Sequence, residues 1–134
     1  MKVVGTVLVT HGALGEELVA VAEKIVGSLP HVMAVSVGWH NNVEDAKERI
    51  KDCIAKVDQG KGVIILTDMF GGTPSNVAMS MMAVNRVDVV TGVNLPMVVK
   101  LGNQKESDTL QGLATTVRDL GKRQIARAGE LLGE

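Results

Sequence analysis

Apolar positions along the chain follow two patterns: short β-type runs, and longer stretches in which apolar residues recur at helical spacing. The short runs predict four buried strands, over residues 3–9, 32–37, 63–66 and 88–91. The longer stretches predict helices that begin near residues 14, 43, 73, 94 and 110. The first helix is closed by Gly27 and Pro30, and the others end near residues 57, 84, 101 and 132.

The regular alternation of strands and helices predicts the fold class. Strands that are apolar on both sides, each followed by a helix, are typical of a mostly parallel sheet covered on both faces. We therefore predict an α/β fold with one central sheet of four or five strands. No interdomain linker is recognisable, so we expect residues 1–134 to form a single domain.

Composition narrows the class of protein. The chain is 46% hydrophobic and 22% charged, with a formal net charge of −1, so it lacks the basic surface that binds nucleic acid. One Trp, one Phe and no Tyr leave no aromatic platform for stacking bases. The single cysteine, Cys53, excludes a disulfide framework and favours a reducing compartment. Because neither a signal peptide nor a long apolar span is recognisable, we expect a cytoplasmic protein without direct membrane insertion.

Two residues that can carry chemistry follow predicted strands. His11 ends the first strand and Asp68 follows the third. In parallel α/β folds the working site lies at the carboxyl edge of the sheet, where these side chains converge if the strands are neighbours. A carboxylate that accepts a hydrogen bond from one ring nitrogen fixes the tautomer, so that the other nitrogen can act as a nucleophile. A surface histidine and a loop-capping aspartate are the ordinary alternatives.

A glycine-rich turn follows Asp68 almost directly. In the stretch GGTPS, residues 71–75, Thr73 is predicted to be the N-cap of a helix that begins at the proline. Main-chain N–H groups at a helix N-terminus attract anions, and the hydroxyls of Thr73 and Ser75 add donors. Histidine, carboxylate and turn together suggest that a phosphoryl group visits His11, although such glycine pairs also occur in plain turns.

Other residues and motifs offer weaker candidates. His31 and His40 are predicted to be structural or peripheral, and Cys53 falls on the apolar stripe of its helix. The sequence contains no Walker A loop, no dinucleotide-binding fingerprint and no Gly-x-Ser-x-Gly elbow. Its three histidines do not have the spacing of zinc ligands. We therefore expect neither a cofactor nor a bound metal.

Three segments resemble enzyme IIA of the mannose family, a component of the bacterial phosphoenolpyruvate:sugar phosphotransferase system. They are THG at residues 10–12, TDMFGGTPSN at residues 67–76 and TGVNLPM at residues 91–97. The resemblance covers essentially the whole domain. It implies that the phosphocarrier HPr phosphorylates His11 and that an enzyme IIB receives the phosphoryl group. It also implies a homodimer with an exchanged edge strand, associated with a membrane sugar-permease complex.

The resemblance also assigns roles to single residues. His11 and Asp68 would be catalytic, with Asp68 bonded to the ring nitrogen that is not phosphorylated. Thr73 stands where the family usually has serine, so the hydroxyl is kept. The residues that we expect to bind the phosphoryl group are Gly72, Thr73, Gly71, Thr10 and Gly12.

Apolar side chains around His11 suggest a surface for protein partners. Leu14, Met69, Phe70 and Met97 would form an apolar collar, or would instead pack on the sheet. The resemblance places Asn94 and Pro96 in a loop beside the site. We therefore expect all six residues at the partner surface.

Two alternative functions remain open. The same phosphorylation would serve a regulatory protein that signals to a partner instead of feeding a transporter, since no enzyme IIB domain is recognisable before Glu134. A histidine phosphatase would also form a phosphohistidine, but that chemistry normally has an arginine where this chain has Thr10. The sequence does not predict which sugar is involved.

Overall fold

The computed structural model describes residues 1–38, 42–83 and 86–133 of the chain. Over these residues it contains four strands and six helices, with a short 3-10 turn at Met81–Ala83. The strands are β1 (Gly5–His11), β2 (Val32–Val37), β3 (Val63–Thr67) and β4 (Val87–Thr91). The helices are α1 (Leu14–Val26), α2 (Val43–Val57), α3 (Thr73–Ser80), α4 (Leu95–Leu101), α5 (Leu110–Arg123) and α6 (Ala128–Leu131).

The strands form one parallel sheet in the order β2-β1-β3-β4. After β1 the chain moves to β2 on one side, and after β2 it crosses back to β3 on the other side of β1. Loops that leave neighbouring strands in opposite directions open a crevice at the carboxyl edge of the sheet. This crevice lies between β1 and β3, the strands that carry His11 and Asp68. The predicted α/β fold is confirmed.

Helices cover both faces of the sheet. On one face α1, α4 and α5 pack on side chains that include Leu8, Ile64 and Leu66. On the other face α2 and α3 pack on side chains that include Val9 and Ile65. Burying one such side chain is favourable by about 1.5–3 kcal/mol. The two central strands, which are buried on both sides, therefore have little freedom to shift.

The alternation of side chains along β1 determines on which face of the sheet the last side chains of the strand lie. Leu8 packs on the side of α1, whereas Val7 and Val9 pack on the side of α2 and α3. Because successive residues of a strand point to opposite faces, His11 leaves the strand on the α3 side and Thr10 on the α1 side.

The structure corrects several predicted boundaries. β1 begins at Gly5, later than residue 3, and the helix that opens at Thr73 gives way to the 3-10 turn after Ser80. The last predicted helix, over residues 110–132, is two helices separated by four residues with Arg127 in extended conformation. The buried stripe of α5 ends at Gly121, and the apolar residues beyond it are exposed, so no packing holds a continuous helix there.

His31 links the segment before β2 to the end of helix α4. Its buried side chain lies just before β2, and Nε2 donates a hydrogen bond to the Leu101 carbonyl at 2.8 Å. Since a carbonyl can only accept, the proton is on Nε2. The prediction of a structural role for His31 is confirmed, and His40 lies outside the described residues. Among the described residues, no helix has the length and apolarity to cross a membrane.

We predict that His31→Leu lowers the free energy of unfolding by about 1–2 kcal/mol, because it removes a buried hydrogen bond. Urea denaturation measures the change, with the exposed α2 substitution Asp52→Ala as the control. A variant as stable as the original protein would contradict the structural role of this hydrogen bond.

Candidate active site

His11 and Asp68 meet at the carboxyl edge of the sheet. His11 is the last residue of β1 and Asp68 follows the last residue of β3. The imidazole Nδ1 lies 2.8 Å from Asp68 Oδ2, and the main-chain N–H of His11 donates to the same oxygen at 3.0 Å. The carboxylate therefore binds both the ring and the backbone of the histidine, as the positions of the two residues in the sequence predicted.

The carboxylate is held by N–H donors on both oxygens. Asp68 Oδ1 accepts the main-chain N–H of Met69 at 3.0 Å, in addition to the two His11 contacts on Oδ2. Burial raises the pKa of the Asp68 carboxyl, but the hydrogen bonds from the His11 backbone and ring, with the charge of His11, outweigh it. The pKa is therefore lowered, and the group is ionised at neutral pH.

An ionised carboxylate decides the tautomer of the ring. Because it can only accept, the proton shared with His11 belongs to Nδ1. In the neutral imidazole the lone pair is then on Nε2, the nitrogen that lies away from Asp68. The side chain of His11 is 27% exposed, whereas that of Asp68 is 12% exposed. The His11 side chain is thus the more accessible member of the pair.

The glycine turn after Asp68 lies beside this edge. A Cβ placed on Gly72 would be 3.8 Å from Nε2 of His11. Gly71 has φ +84° and Gly72 has φ +90° with ψ 172°, conformations that residues with a side chain rarely adopt. The two glycines therefore allow the chain to turn sharply against the imidazole before α3 begins.

The start of α3 supplies main-chain donors next to the ring. Gly72 is the N-cap and Thr73 the first helical residue, so the prediction of Thr73 as N-cap was wrong by one position. The first helical hydrogen bond runs from Asn76 to Gly72, and the N–H groups of Thr73 and Ser75 precede it. Pro74 has no N–H. Thr73 is exposed, whereas Ser75 is buried and its hydroxyl donates to the Gly72 carbonyl at 3.3 Å.

The structure does not place Thr10 or Gly12 in this cradle. Thr10 is fully buried on the α1 side, and its Oγ1 accepts the N–H of Gly15 at 2.8 Å. Gly12 uses its N–H for the carbonyl of Val37 at 3.3 Å. In this structure both residues bond to nearby main-chain groups, and their binding of the phosphoryl group stays a prediction.

In the structure, only some residues of the predicted partner surface are exposed. Leu14, Met69 and Phe70 are exposed, and Phe70 keeps 75% of its surface in solvent. Met97 is only 2% exposed and packs against Gly121 in the core, so its predicted place in the apolar collar is wrong. An apolar residue at the third position of a helix that packs on the sheet is buried by that packing.

Asn94 and Pro96 begin helix α4 instead of lying in an open loop. The Asn94 side chain caps the helix by accepting the N–H of Met97, and it donates to the Gly121 carbonyl at 3.1 Å. Pro96 is at the second helical position and lines a groove with residues of α1 and α5. Both residues are half-buried. Their contact with partners stays a prediction.

Sequence reasoning missed two main-chain contacts and one side-chain contact. The N–H groups of His11 and Gly12 hold the end of β1 to Asp68 and to Val37, and the Thr10 hydroxyl holds the start of α1. Only the Thr10 contact could have been inferred from the sequence. Helix α1 begins after Ala13, which has no capping side chain, so its first N–H groups need another acceptor, such as a nearby hydroxyl.

Among the described residues, no group of three or more His, Cys, Asp or Glu side chains is arranged to hold a metal.

Comparison with known proteins finds relatives among components of the phosphotransferase system (PTS). Residues 5–118 match the model of the family described as PTS system fructose IIA component. The mannose-specific EIIAB component of Escherichia coli K12 is 34% identical over 107 residues, which cover 78% of this chain and 33% of that protein. This chain thus spans about a third of the length of that relative. The fructose-specific EIIA component of Bacillus subtilis is 25% identical over 130 residues, with 96% of this chain and 89% of that protein covered.

Solved structures show the same fold. The mannose/sorbose-specific IIA subunit from Enterococcus faecalis superposes with a TM-score of 0.84 at 26% identity, covering 95% of both chains. A PTS IIA protein associated with the fucose utilization operon of Streptococcus pneumoniae gives a TM-score of 0.81 at 26% identity, covering 98% of this chain and 99% of that chain.

We predict that Asp68→Asn makes stability less dependent on pH in the acid range. A pKa that is lower in the folded protein stabilises it fully above the ordinary value of 3.8, and this contribution is lost as pH falls through the lowered pKa. The original protein and the variant should therefore differ most in free energy of unfolding at neutral pH, and this difference should begin to shrink as pH falls below about 4.

Urea denaturation at a series of pH values measures this difference, with Asp45→Asn in the exposed first turn of α2 as the control. A difference between original protein and Asp68→Asn that stays constant across the series would show that the carboxylate is not linked to folding.

Proposed function

Since the chain belongs to the family of PTS fructose IIA components, we propose that His11 accepts a phosphoryl group from phospho-HPr and passes it to an enzyme IIB during sugar uptake. Family membership supports the coarser part, a phosphocarrier and phosphotransferase of the sugar phosphotransferase system. The observation that carries the finer part is the 2.8 Å contact between His11 Nδ1 and Asp68. In this proposal residues 1–134 form one enzyme IIA domain that works in the cytoplasm.

The pair suits transfer between two histidines. The lone pair of His11 Nε2 attacks phosphorus while the N–P bond of the donor breaks and the donor ring keeps the bonding electrons. Neither water nor a nucleotide takes part in this step. In the second transfer, a nucleophile of the next protein attacks the phosphorus and the N–P bond to His11 breaks. Asp68 keeps the proton on Nδ1 and stabilises the positive charge that the ring gains when Nε2 is substituted. Holding the ring in this orientation is the main task of the protein.

The start of α3 suits the transferred oxygens. The N–H groups of Thr73 and Ser75 precede the first helical hydrogen bond, and Gly72 lies beside Nε2. Preorganised N–H donors and the positive end of a helix stabilise the negative charge of the transferring group. In the proposal Gly71 and Gly72 shape this cradle and Thr73 adds its exposed hydroxyl.

The exposed ring suits exchange between protein surfaces. Leu14 at the start of α1, with Met69 and Phe70 in the loop after Asp68, leaves apolar surface exposed on either side of the His11–Asp68 pair. Exposed apolar side chains next to a functional group are typical of a surface that binds another protein. We assign them to the docking of HPr and enzyme IIB. A homodimer is the quaternary structure expected from the family resemblance.

We predict that His11→Ala abolishes labelling by radioactive phosphoenolpyruvate in the presence of enzyme I and HPr, because it removes the nitrogen that the proposal makes the nucleophile. The label on the original protein should be lost in acid and kept in alkali, as expected for an N–P bond. His31→Leu, which keeps His11 intact, is the matched histidine control. Labelling of His11→Ala at the original level would disprove the assignment.

Transfer to purified enzyme IIB tests the second half of the proposal. We predict that labelled protein loses its phosphoryl group when enzyme IIB is added and that enzyme IIB gains it. A label that never moves to an enzyme IIB but changes which proteins bind would support the regulatory alternative instead.

We predict that Thr73→Ala slows acceptance of the phosphoryl group about tenfold, the effect of one hydrogen bond to a charged group. Thr73→Ser keeps the hydroxyl and should retain most of the rate. Rapid-quench labelling from phospho-HPr measures both variants. Equal rates for the alanine and serine variants would place the Thr73 hydroxyl outside the reaction.

A further inference from the structure

The buried side chain of Thr10 ties the start of helix α1 to the end of strand β1. It has no exposed surface, and Oγ1 accepts the N–H of Gly15 at 2.8 Å. The hydrogen of the same hydroxyl is directed to the Gly12 carbonyl at 3.5 Å, a long contact. The chain between Thr10 and Gly15 is thus closed into a small loop that contains His11.

We infer that Thr10 is a positioning residue for His11, which sets the orientation of the imidazole without touching the phosphoryl group. The inference rests on the proposed phosphoryl transfer at His11. It gives Thr10 a different task from the phosphoryl binding expected from the sequence. The claim concerns the orientation of the ring, beyond any contribution of the hydroxyl to stability.

Helix α1 needs this hydroxyl because it has no cap of its own. Its N-cap is Ala13, whose side chain accepts nothing, so the N–H of Gly15 at the second helical position requires another acceptor. Gly15 lets the helix approach β1 closely, since an added Cβ would lie 3.1 Å from Thr10 Oγ1 and 3.2 Å from the Leu8 Cβ. Strand and helix are therefore in direct contact just below the histidine.

The hydrogen bond from Gly15 to Thr10 acts on a segment that is also held to both neighbouring strands. The main-chain N–H of His11 donates to Asp68, and that of Gly12 donates to Val37 on the other neighbouring strand. Gly12 then turns with φ +52°, and α1 begins two residues later. Without the Thr10 hydroxyl, the N–H of Gly15 would be buried and unpaired, and α1 could relieve this only by moving. Such a movement would turn His11 relative to Gly72.

Thr6 provides a matched comparison within the same strand. Thr6 and Thr10 lie four residues apart on the same face of β1, and both are fully buried. Among the described residues, the Thr6 hydroxyl is a buried side-chain oxygen without a hydrogen-bond partner. Replacing either threonine by valine removes a hydroxyl and keeps the shape, but only at Thr10 does this break a hydrogen bond. The comparison therefore isolates the effect of the hydrogen bond between Gly15 and Thr10.

The test measures phosphoryl transfer from phospho-HPr for Thr10→Val, Thr10→Ser and Thr6→Val. We expect Thr10→Val to lower the maximal rate about 10- to 100-fold, the usual effect of a small misplacement of a reacting group. The KM for phospho-HPr should stay unchanged, because Thr10 has no exposed surface. Thr10→Ser should restore the rate, and Thr6→Val should not alter it.

Nitrogen NMR of the His11 ring measures its tautomer, a property that a change in helix stability alone would not alter. We expect the original protein and Thr6→Val to keep the proton on Nδ1, and Thr10→Val to show a mixture of tautomers. Every variant is assayed at a temperature where its circular dichroism shows it to be folded. If Thr10→Val does not fold, Thr10→Ala takes its place. If neither hydroxyl-free variant folds, the hydroxyl serves stability and the inference fails.

The outcomes separate this inference from the proposed function. If the original protein is labelled on His11 and Thr10→Val has the same maximal rate and the same tautomer, the positioning role is disproved and phosphoryl transfer stands. If the original protein is not labelled by phospho-HPr at all, the proposed function fails. In that case the NMR comparison still decides whether Thr10 orients the ring.

Discussion

The parallel pairing of β1 with β3 is the constraint on which the candidate site depends. Val9 is paired with Thr67, so β1 continues two residues beyond this pair to His11, while Asp68 follows Thr67 directly, and the two side chains meet at one edge. There the Asp68 carboxylate accepts the N–H of His11, in place of a further main-chain acceptor from β3. A shift of the register by one residue would exchange the faces of all side chains on one strand. The buried aliphatic residues on both faces oppose such a shift.

The same pairing separates the two sides of the site. Because β1 and β3 are neighbours while their connections leave in opposite directions, α1 and α3 begin on opposite faces of the sheet. His11 is attached to α1 through a short turn, but its side chain faces the start of α3. The helix that fixes the backbone of the histidine is therefore different from the helix whose N-terminus lies beside its ring.

Periodicity predicted the elements that pack on the sheet. The amphipathic stripe over residues 43–57 and the apolar run over residues 32–37 coincide with α2 and β2, because burial along a whole element produces its pattern in the sequence. The predicted last helix failed where burial stops, after Gly121. The meeting of His11 and Asp68 was also predictable, since a strand end is where α/β folds concentrate chemistry.

What the sequence could not predict is the use of each hydroxyl. Thr10, Ser75 and Thr73 all lie near the histidine along the chain or across the sheet, and all three were expected to supply donors to a phosphoryl group. In the structure the first two are buried and bonded to main-chain groups, and only Thr73 is exposed. The partner of a hydroxyl depends on which face of the sheet it occupies and on which N–H group a neighbouring helix leaves unpaired.

This division follows from the cost of burial. A buried hydroxyl or N–H that lacks a partner costs about 1–3 kcal/mol, so a hydroxyl enclosed by the sheet and its helices bonds to the main chain around it. An exposed hydroxyl loses little when it exchanges water for a phosphoryl oxygen, and it can therefore bind and release the group repeatedly. A phosphoryl carrier needs both kinds: buried hydroxyls that keep the loops in shape, and exposed donors that hold the group only while it is present. Thr10 and Ser75 are hydroxyls of the first kind, and the proposed function gives Thr73 a role of the second kind.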